Sequence, residues 1–201
     1  MPIITSLVTA PTREPVELQD IERHLRLDID YPEEQELLEL YITAARKRVE
    51  DLTGRKLINQ TWKYYLEDWP TEDYIKIPYP PLSSVTSNGI KYRDSDYTEQ
   101  TMDSGDYRVL TNIEPGRIVL DYGATWPSDT LIGNAEAIYI EYVCGYGSGR
   151  TNVPEELRIA IMQIIGTMYE NRETTSPQVI VEVPQTAYML IEPFRISRLG
   201  L

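Results

Sequence analysis

Two spacings of apolar residues divide this chain. Between residues 15 and 55 they recur every three or four positions. From Leu57 to about residue 146 they fall in short β-branched and aromatic runs, and after Pro154 the helical spacing returns. "PVELQDIERHLRL" (15–27) predicts a short helix with Pro15 in its first turn and Leu18, Ile21 and Leu25 on one face. "DIDYPEEQELLELYITAARKRVEDLTGR" (28–55) predicts a longer one. Asp30 and Pro32 mark its start, and Glu33, Glu34 and Glu36 suit the positive dipole end. Arg46, Lys47 and Arg48 suit the negative end, and Gly54 is a natural stop. The main stripe is Leu38, Tyr41, Ile42, Ala45, Val49 and Leu52. Leu37, Leu40 and Ala44 form a second strip that one core does not need.

The middle segments "LINQTWKYYLEDW", "DYIKIPY", "SVTSNGIKYRD", "DYRVL", "GRIVLDY" and "AIYIEYVCGY" are separated by Pro, Gly, Asn and Asp. They predict about six short antiparallel strands. The Asn-Gly pair within "SNGIKY" (87–92) predicts a tight hairpin. Most of the tyrosines lie here, a residue suited to half-buried sheet and to contact surfaces.

"PEELRIAIMQIIGTMYENRE" (154–173) predicts a helix apolar on two faces. Leu157, Ile161, Ile164, Ile165 and Met168 make one face; Ile159, Met162, Gly166 and Tyr169 make the other. A strand over "QVIVEVP" (178–184) and a short helical tail, "TAYMLIEPFRISRLGL", follow. Residues 1–15, with three prolines, read as an extended arm. The fold class expected is α+β: a small helical bundle, made from two N-terminal helices and one C-terminal helix, with a large antiparallel β insertion and an extended C-terminal tail. One composite domain divides into 1–56, 57–150 and 151–201.

Composition sharpens this picture mainly through charge. The formal net charge is −13, and gripping nucleic acid by counterion release requires the opposite sign. An acidic surface instead repels DNA and lets it slide past. One His and one Cys exclude a His-rich metal centre and an internal disulfide framework. No apolar run approaches the roughly 18 residues a membrane helix needs, and the N-terminus lacks the basic start of a signal peptide.

Candidate chemistry is sparse. "GYGSGR" (145–150) sits between a strand and a helix, as a phosphate loop does, but lacks Gly-Lys-Ser/Thr and reads as a turn. "DSDYTEQTMD" (94–103) begins like a calcium loop, but has Glu99 where Gly is required and Gly105 where Glu is required. It reads as a solvated hairpin tip. His24 is a boundary residue of the first helix, and Cys144 a small buried apolar group. "YENRE" (169–173) puts Glu170 and Glu173 at a helix C-terminus, where the dipole disfavours them unless they find partners such as Arg172. No catalytic residue, cofactor site or metal site is assigned.

In order along the chain, "EPVELQDIERHLRLD", "AARKRVEDLTGRKLINQTW", "IPYPPLSSV", "DYRVL" and "CGYGSGRTNVPEELRIAIMQIIGTMYENRE" resemble the head–tail connector (adaptor, or head-completion) proteins of long-tailed bacteriophages and gene-transfer agents. The resemblance implies a structural virion protein at the head–tail interface, made in the host cytoplasm. It implies a ring of about twelve copies beneath the portal, closed by a heterologous interface. Such a ring extends the DNA channel, passes genomic DNA without specific binding, and meets the portal on one side and a tail-side connector, stopper or tail terminator on the other. No enzyme activity, membrane or cofactor comes with it.

Leu37, Leu40 and Ala44, together with Ile159, Met162, Tyr169, Glu170, Arg172 and Glu173, are the expected subunit-contact residues. The tail, through Tyr188, Leu190, Phe194 and Arg195, is expected to be mobile and to order on the portal. A small-ligand or carbohydrate-binding β module with helical support is the alternative, marked by a deep aromatic pocket. A hydrolase using Glu170 and Glu173 is a third class and needs a buried pair.

Overall fold

The computed structural model describes residues 4–28, 31–128, 131–134, 136–171 and 183–196. The chain divides into two compact units. The β unit takes its described residues from 4–11 and 59–146, the helical unit from 12–58 and 147–196.

In the helical unit, α1 spans Leu18–Leu25, α2 Pro32–Thr53, α3 Glu155–Glu170 and α4 Gln185–Ile191. α1 starts later than the prolines suggest. Pro15 and Val16 are buried ahead of it, and the Glu17 N–H donates to Asp20 Oδ2 at 3.1 Å. α2 stops where Gly54 takes φ +74 and its N–H returns to the Glu50 carbonyl at 2.8 Å. Ile21, Leu38, Ile42, Ala45, Val49, Leu157, Ile161, Ile164 and Ile165 form the core expected from the helical spacing.

The tail differs from its expected mobility. α4 packs on α3 and α2, with Ala187 and Ile191 fully buried. Beyond it the Ile196 N–H donates to the Thr53 carbonyl at 2.9 Å, and Arg55 Nε to the Phe194 carbonyl at 2.6 Å. Two buried side chains and two hydrogen bonds to the end of α2 hold the segment without a partner. Of the strand expected over 178–184, residues 178–182 lie outside the described residues; Val183 and Pro184 are not strand, and Pro184 precedes α4.

A charged cluster is sealed into this unit. Arg46 Nε lies 2.7 Å from Glu14 Oε2, and Arg46 Nη1 lies 3.3 Å from Glu50 Oε2. Lys56 Nζ lies 3.3 Å from the same Glu50 oxygen, and the Leu57 N–H donates to Glu50 Oε1 at 3.1 Å. Arg46 is therefore not the solvated dipole-end cation that its position suggests. Burial pulls its guanidinium pKa down, but the hydrogen bond to Glu14 and the charge of Glu50 more than offset this and raise it.

The β unit contains β1 (Ile4–Thr9), β2 (Gln60–Leu66), β3 (Tyr74–Lys76), β4 (Leu82–Arg93), β5 (Glu99–Thr101), β6 (Tyr107–Leu110), β7 (Arg117–Leu120) and β8 (Ile138–Cys144). They make a five-stranded sheet ordered β1-β2-β8-β4-β5 and a three-stranded sheet ordered β3-β7-β6, antiparallel throughout. The arm at the start of the chain thus becomes an edge strand on β2. Alternation decides which side chains enter the core. Ile140, Tyr142 and Cys144 of β8 are buried with Ile90 and Leu82 of β4 and with Ile75, Ile118 and Leu120 of the smaller sheet, while Ile138 is buried with Tyr92 and Ala137 in a second cluster.

The Asn88-Gly89 pair does not turn a hairpin. β4 pairs with β8 on both sides of it: Val85 opposes Tyr142 and Ile90 opposes Ile140, so five steps along β4 match two along β8. The surplus is a large bulge. Asn88 takes φ +56, and Thr86 Oγ1 donates to the Glu141 carbonyl at 3.0 Å. A Cβ on Gly89 would meet that same carbonyl at 2.6 Å. The residue types that favour a tight turn here satisfy a bulge.

Candidate functional site

The candidate surfaces lie on exposed ridges of the helical unit. On α2, Leu40 is 67% exposed, Ala44 is exposed and Leu37 is half-buried. Ala44 also borders a groove of about 210 Å³, formed with Arg48 of α2, Ile164 and Met168 of α3, and Val183 and Pro184.

On α3 the second apolar face splits in two. Ile159 is 40% exposed, while Met162 and Tyr169 are half-buried. A methyl on Gly166 would lie 3.5 Å from Leu25 Cδ2, so α1 covers that stretch at ordinary contact distance. The Tyr169 hydroxyl lies 2.7 Å from Glu34 Oε1 and donates to it. At the helix end Asn171 Nδ2 donates to the Thr167 carbonyl at 2.8 Å. Glu170 is exposed, and Arg172 and Glu173 lie outside the described residues. An exposed carboxylate at a helix end is not the buried acid that a hydrolase requires.

In the tail, Tyr188 is 38% exposed, and Leu190 and Phe194 are half-buried. Arg195 Nη1 donates to the Tyr188 hydroxyl at 2.9 Å and lies 3.2 Å from Glu192 Oε2, with its guanidinium over the Tyr188 ring at 5.6 Å. Those contacts preorganise a small cationic and aromatic knob. Met189, 69% exposed beside it, escaped sequence reasoning. With only seven residues, α4 gives too short a period to separate its two sides.

The remaining motifs are structural. In the glycine loop, a Cβ on Gly147 would strike the Asn152 side chain, and Arg150 Nη1 lies 2.7 Å from Asp20 Oδ2 and 3.2 Å from Glu17 Oε2. The one cation of that loop is thus bound to two acids. At the β4–β5 tip, Asp94 accepts from the N–H groups of Asp96 and Thr98, each at 3.0 Å, and from Gln100 Nε2 at 3.1 Å. The bond from Gln100 leads these in holding its pKa below the usual carboxylate range. His24 is exposed; Cys144 is buried, with Sγ 3.8 Å from the Gln60 carbonyl. Among the described residues, no group of three or more His, Cys, Asp or Glu is arranged to hold a metal ion. Among them, too, no helix is long and apolar enough to cross a membrane.

The outer face of the large sheet carries tyrosines in a shallow setting. Lys63, Tyr65, Arg93, Glu136 and Tyr139 line a cavity of about 110 Å³, with Lys63 Nζ 4.8 Å from the Tyr139 ring centre. Lys91 Nζ lies 2.6 Å from Glu99 Oε1, and the Tyr139 hydroxyl donates to Glu99 Oε2 at 2.7 Å. Charges cancel locally, and the hollow is far below the roughly 300 Å³ of a small-molecule site.

Known proteins place this geometry. Chains of gene transfer agent (GTA) particles share the fold. One, from the "Neck of empty GTA particle computed with C6 symmetry", matches with a TM-score of 0.78 at 23% identity over 98% of each chain. A second, from the "Virion of native gene transfer agent (GTA) particle", gives 0.77 at 24% identity over 98% of each. A third, from the "Neck of native GTA particle computed with C12 symmetry", gives 0.73 at 23% identity over 100% of this chain and 99% of that one. No curated protein matches the sequence. The family profile described as "Phage gp6-like head-tail connector protein" matches residues 15–112 and 129–195. That match spans most of both units, and the chain belongs to the phage gp6-like head–tail connector family, a family of structural connectors and not of enzymes.

Proposed function

We propose that this connector assembles as a ring of about twelve subunits beneath the portal, extends the DNA channel, and offers its far side to the next neck or tail component. The observation that carries the reading is the family match joined to near-complete fold coverage of chains from particle necks solved with six- and twelve-fold symmetry. The function is assembly. Leu40 and Ala44 on α2 and Ile159 and Met162 on α3 are proposed to bury their apolar area between neighbours. Leu37, Tyr169 and Glu170 border that contact, with Arg172 and Glu173 beyond them in the sequence. The net charge of −13 supports a channel wall that repels DNA and does not retain it.

The knob of Tyr188 and Arg195, with Leu190 and Phe194 behind it, is proposed to meet the portal. The experiment adds the purified chain to DNA-filled heads that carry a portal but no connector. A ring of density under the portal is expected, and its absence at saturating protein refutes the reading. Tyr188→Ala combined with Arg195→Ala, which leaves Ala187 and Ile191 in place, is expected to weaken head binding at least about tenfold. Unchanged binding would remove the knob from the portal interface. Deleting 186–201 is a poorer test, because it strips buried residues from the helical unit.

A further inference from the structure

The free ridge of α2 is complementary to itself. At 3.6 residues per turn, Glu33, Glu36, Leu37, Leu40, Ala44, Lys47 and Arg48 share an arc of roughly 120°. The order along that arc is acidic, then apolar, then basic. Both glutamates and both cations are exposed, and none of the four makes an ion pair among the described residues. Leu40, 67% exposed, sits at the middle of the ridge.

We infer that two copies of the free protein pair through this ridge, α2 against α2 and antiparallel. Glu33 and Glu36 of each copy then face Lys47 and Arg48 of the other, across Leu37, Leu40 and Ala44. Only the antiparallel arrangement brings opposite charges together at both ends; a parallel one places like charges side by side. Asp51, also exposed, falls one turn beyond the contact and softens its basic end without reversing it.

Such a contact is isologous, so it closes at two copies and cannot extend into a ring. Its size makes it reversible. Residues 33–48 span about 22 Å of helix about 10 Å wide, so each partner contributes a few hundred Å², short of the roughly 800 Å² per partner of a stable complex. If the ring forms as proposed above, it uses Leu40 and Ala44 between neighbours, so the pair and the ring compete for one surface. The dimer then holds free subunits apart until the portal offers a better assembly. That regulatory role rests on the ring reading; the dimer itself does not.

The test is sedimentation velocity of the purified full chain over a concentration series. The mass is expected to rise from one chain to two and stop there, at lower concentration in low salt than in high salt. Leu40→Glu, at an exposed position outside the core, is expected to give monomer throughout. Glu33→Lys with Glu36→Lys is expected to give monomer, as is Lys47→Glu with Arg48→Glu. All four reversals together are expected to restore the dimer, with circular dichroism checking the helices in each variant.

A wild type that stays monomeric at every concentration, assembles past two, or pairs equally well as Leu40→Glu overturns the inference. So does a folded four-fold reversal that fails to pair. Heads carrying the portal separate the two readings. A ring on the portal from a chain that never dimerises keeps the ring and removes the dimer; a dimer that forms no ring does the reverse.

Discussion

Glu50→Ala is expected to destabilise the helical unit severely for a polar substitution. The Glu50 side chain is 2% exposed and lies 3.3 Å from both Arg46 Nη1 and Lys56 Nζ while accepting from the Leu57 N–H. The substitution leaves Arg46, itself 6% exposed, with Glu14 alone to balance its charge. Removing one partner of a buried pair costs about 3–5 kcal/mol, because the survivor stays desolvated. Set against a total stability of about 5–15 kcal/mol, that is about a fifth or more of the whole. Glu50→Gln keeps an acceptor for the Leu57 N–H and loses only the charge, so about 2 kcal/mol is expected. The assay is urea unfolding followed by far-ultraviolet circular dichroism, which reads helix and therefore mainly the helical unit. Added salt should change the difference little, since buried charges are poorly screened. A loss below about 1 kcal/mol for Glu50→Ala, or a Glu50→Gln variant as stable as the wild type, would refute the claim that this cluster stabilises the unit through its charge.

Gly116→Ala is expected to cost about 1–3 kcal/mol, because the new methyl collides with the buried Leu82 side chain; an unchanged urea midpoint would show that Leu82 moves freely. Tyr169→Phe removes the donor to Glu34 and is expected to cost about 0.5–1.5 kcal/mol, readable in the same unfolding curve. For Asp94 the folded carboxyl pKa lies below its usual range, chiefly through the Gln100 bond. Its contribution is therefore complete above that range and lost as pH falls through the depressed folded value. Amide resonances of Asp96 and Thr98 should shift together at acid pH in an NMR titration, and Asp94→Ala should abolish the shift.

The helices of the bundle were legible because their signals are local. In α2 the Pro32 start, the Gly54 stop and the Leu38–Ile42–Ala45–Val49 stripe are all sequence neighbours of what they determine. The exposed strip Leu37–Leu40–Ala44 was legible for the same reason, since a period of 3.6 assigns each residue to a side. Features that depend on distant partners were not. Arg46 and Lys47 are adjacent and alike in charge; one is buried against Glu14 and Glu50, the other solvated. Nothing near them in sequence announces which cation meets a carboxylate 32 positions away.

The arm shows the same limit. Ile4–Thr9 has the β-branched content of a strand, but the prolines around it dominate a local reading, and only β2 supplies the ladder it needs. Asn88-Gly89 is the sharper case. A positive φ followed by a glycine meets the local demand of a turn and of a bulge equally. The decision lies with β8. Its alternating buried residues Ile140 and Tyr142 hold both halves of β4 in one sheet, because folding the strand back at Asn88 would strip either Val85 or Ile90 of its partner. Where a motif satisfies two local geometries, the side chains across the sheet choose between them.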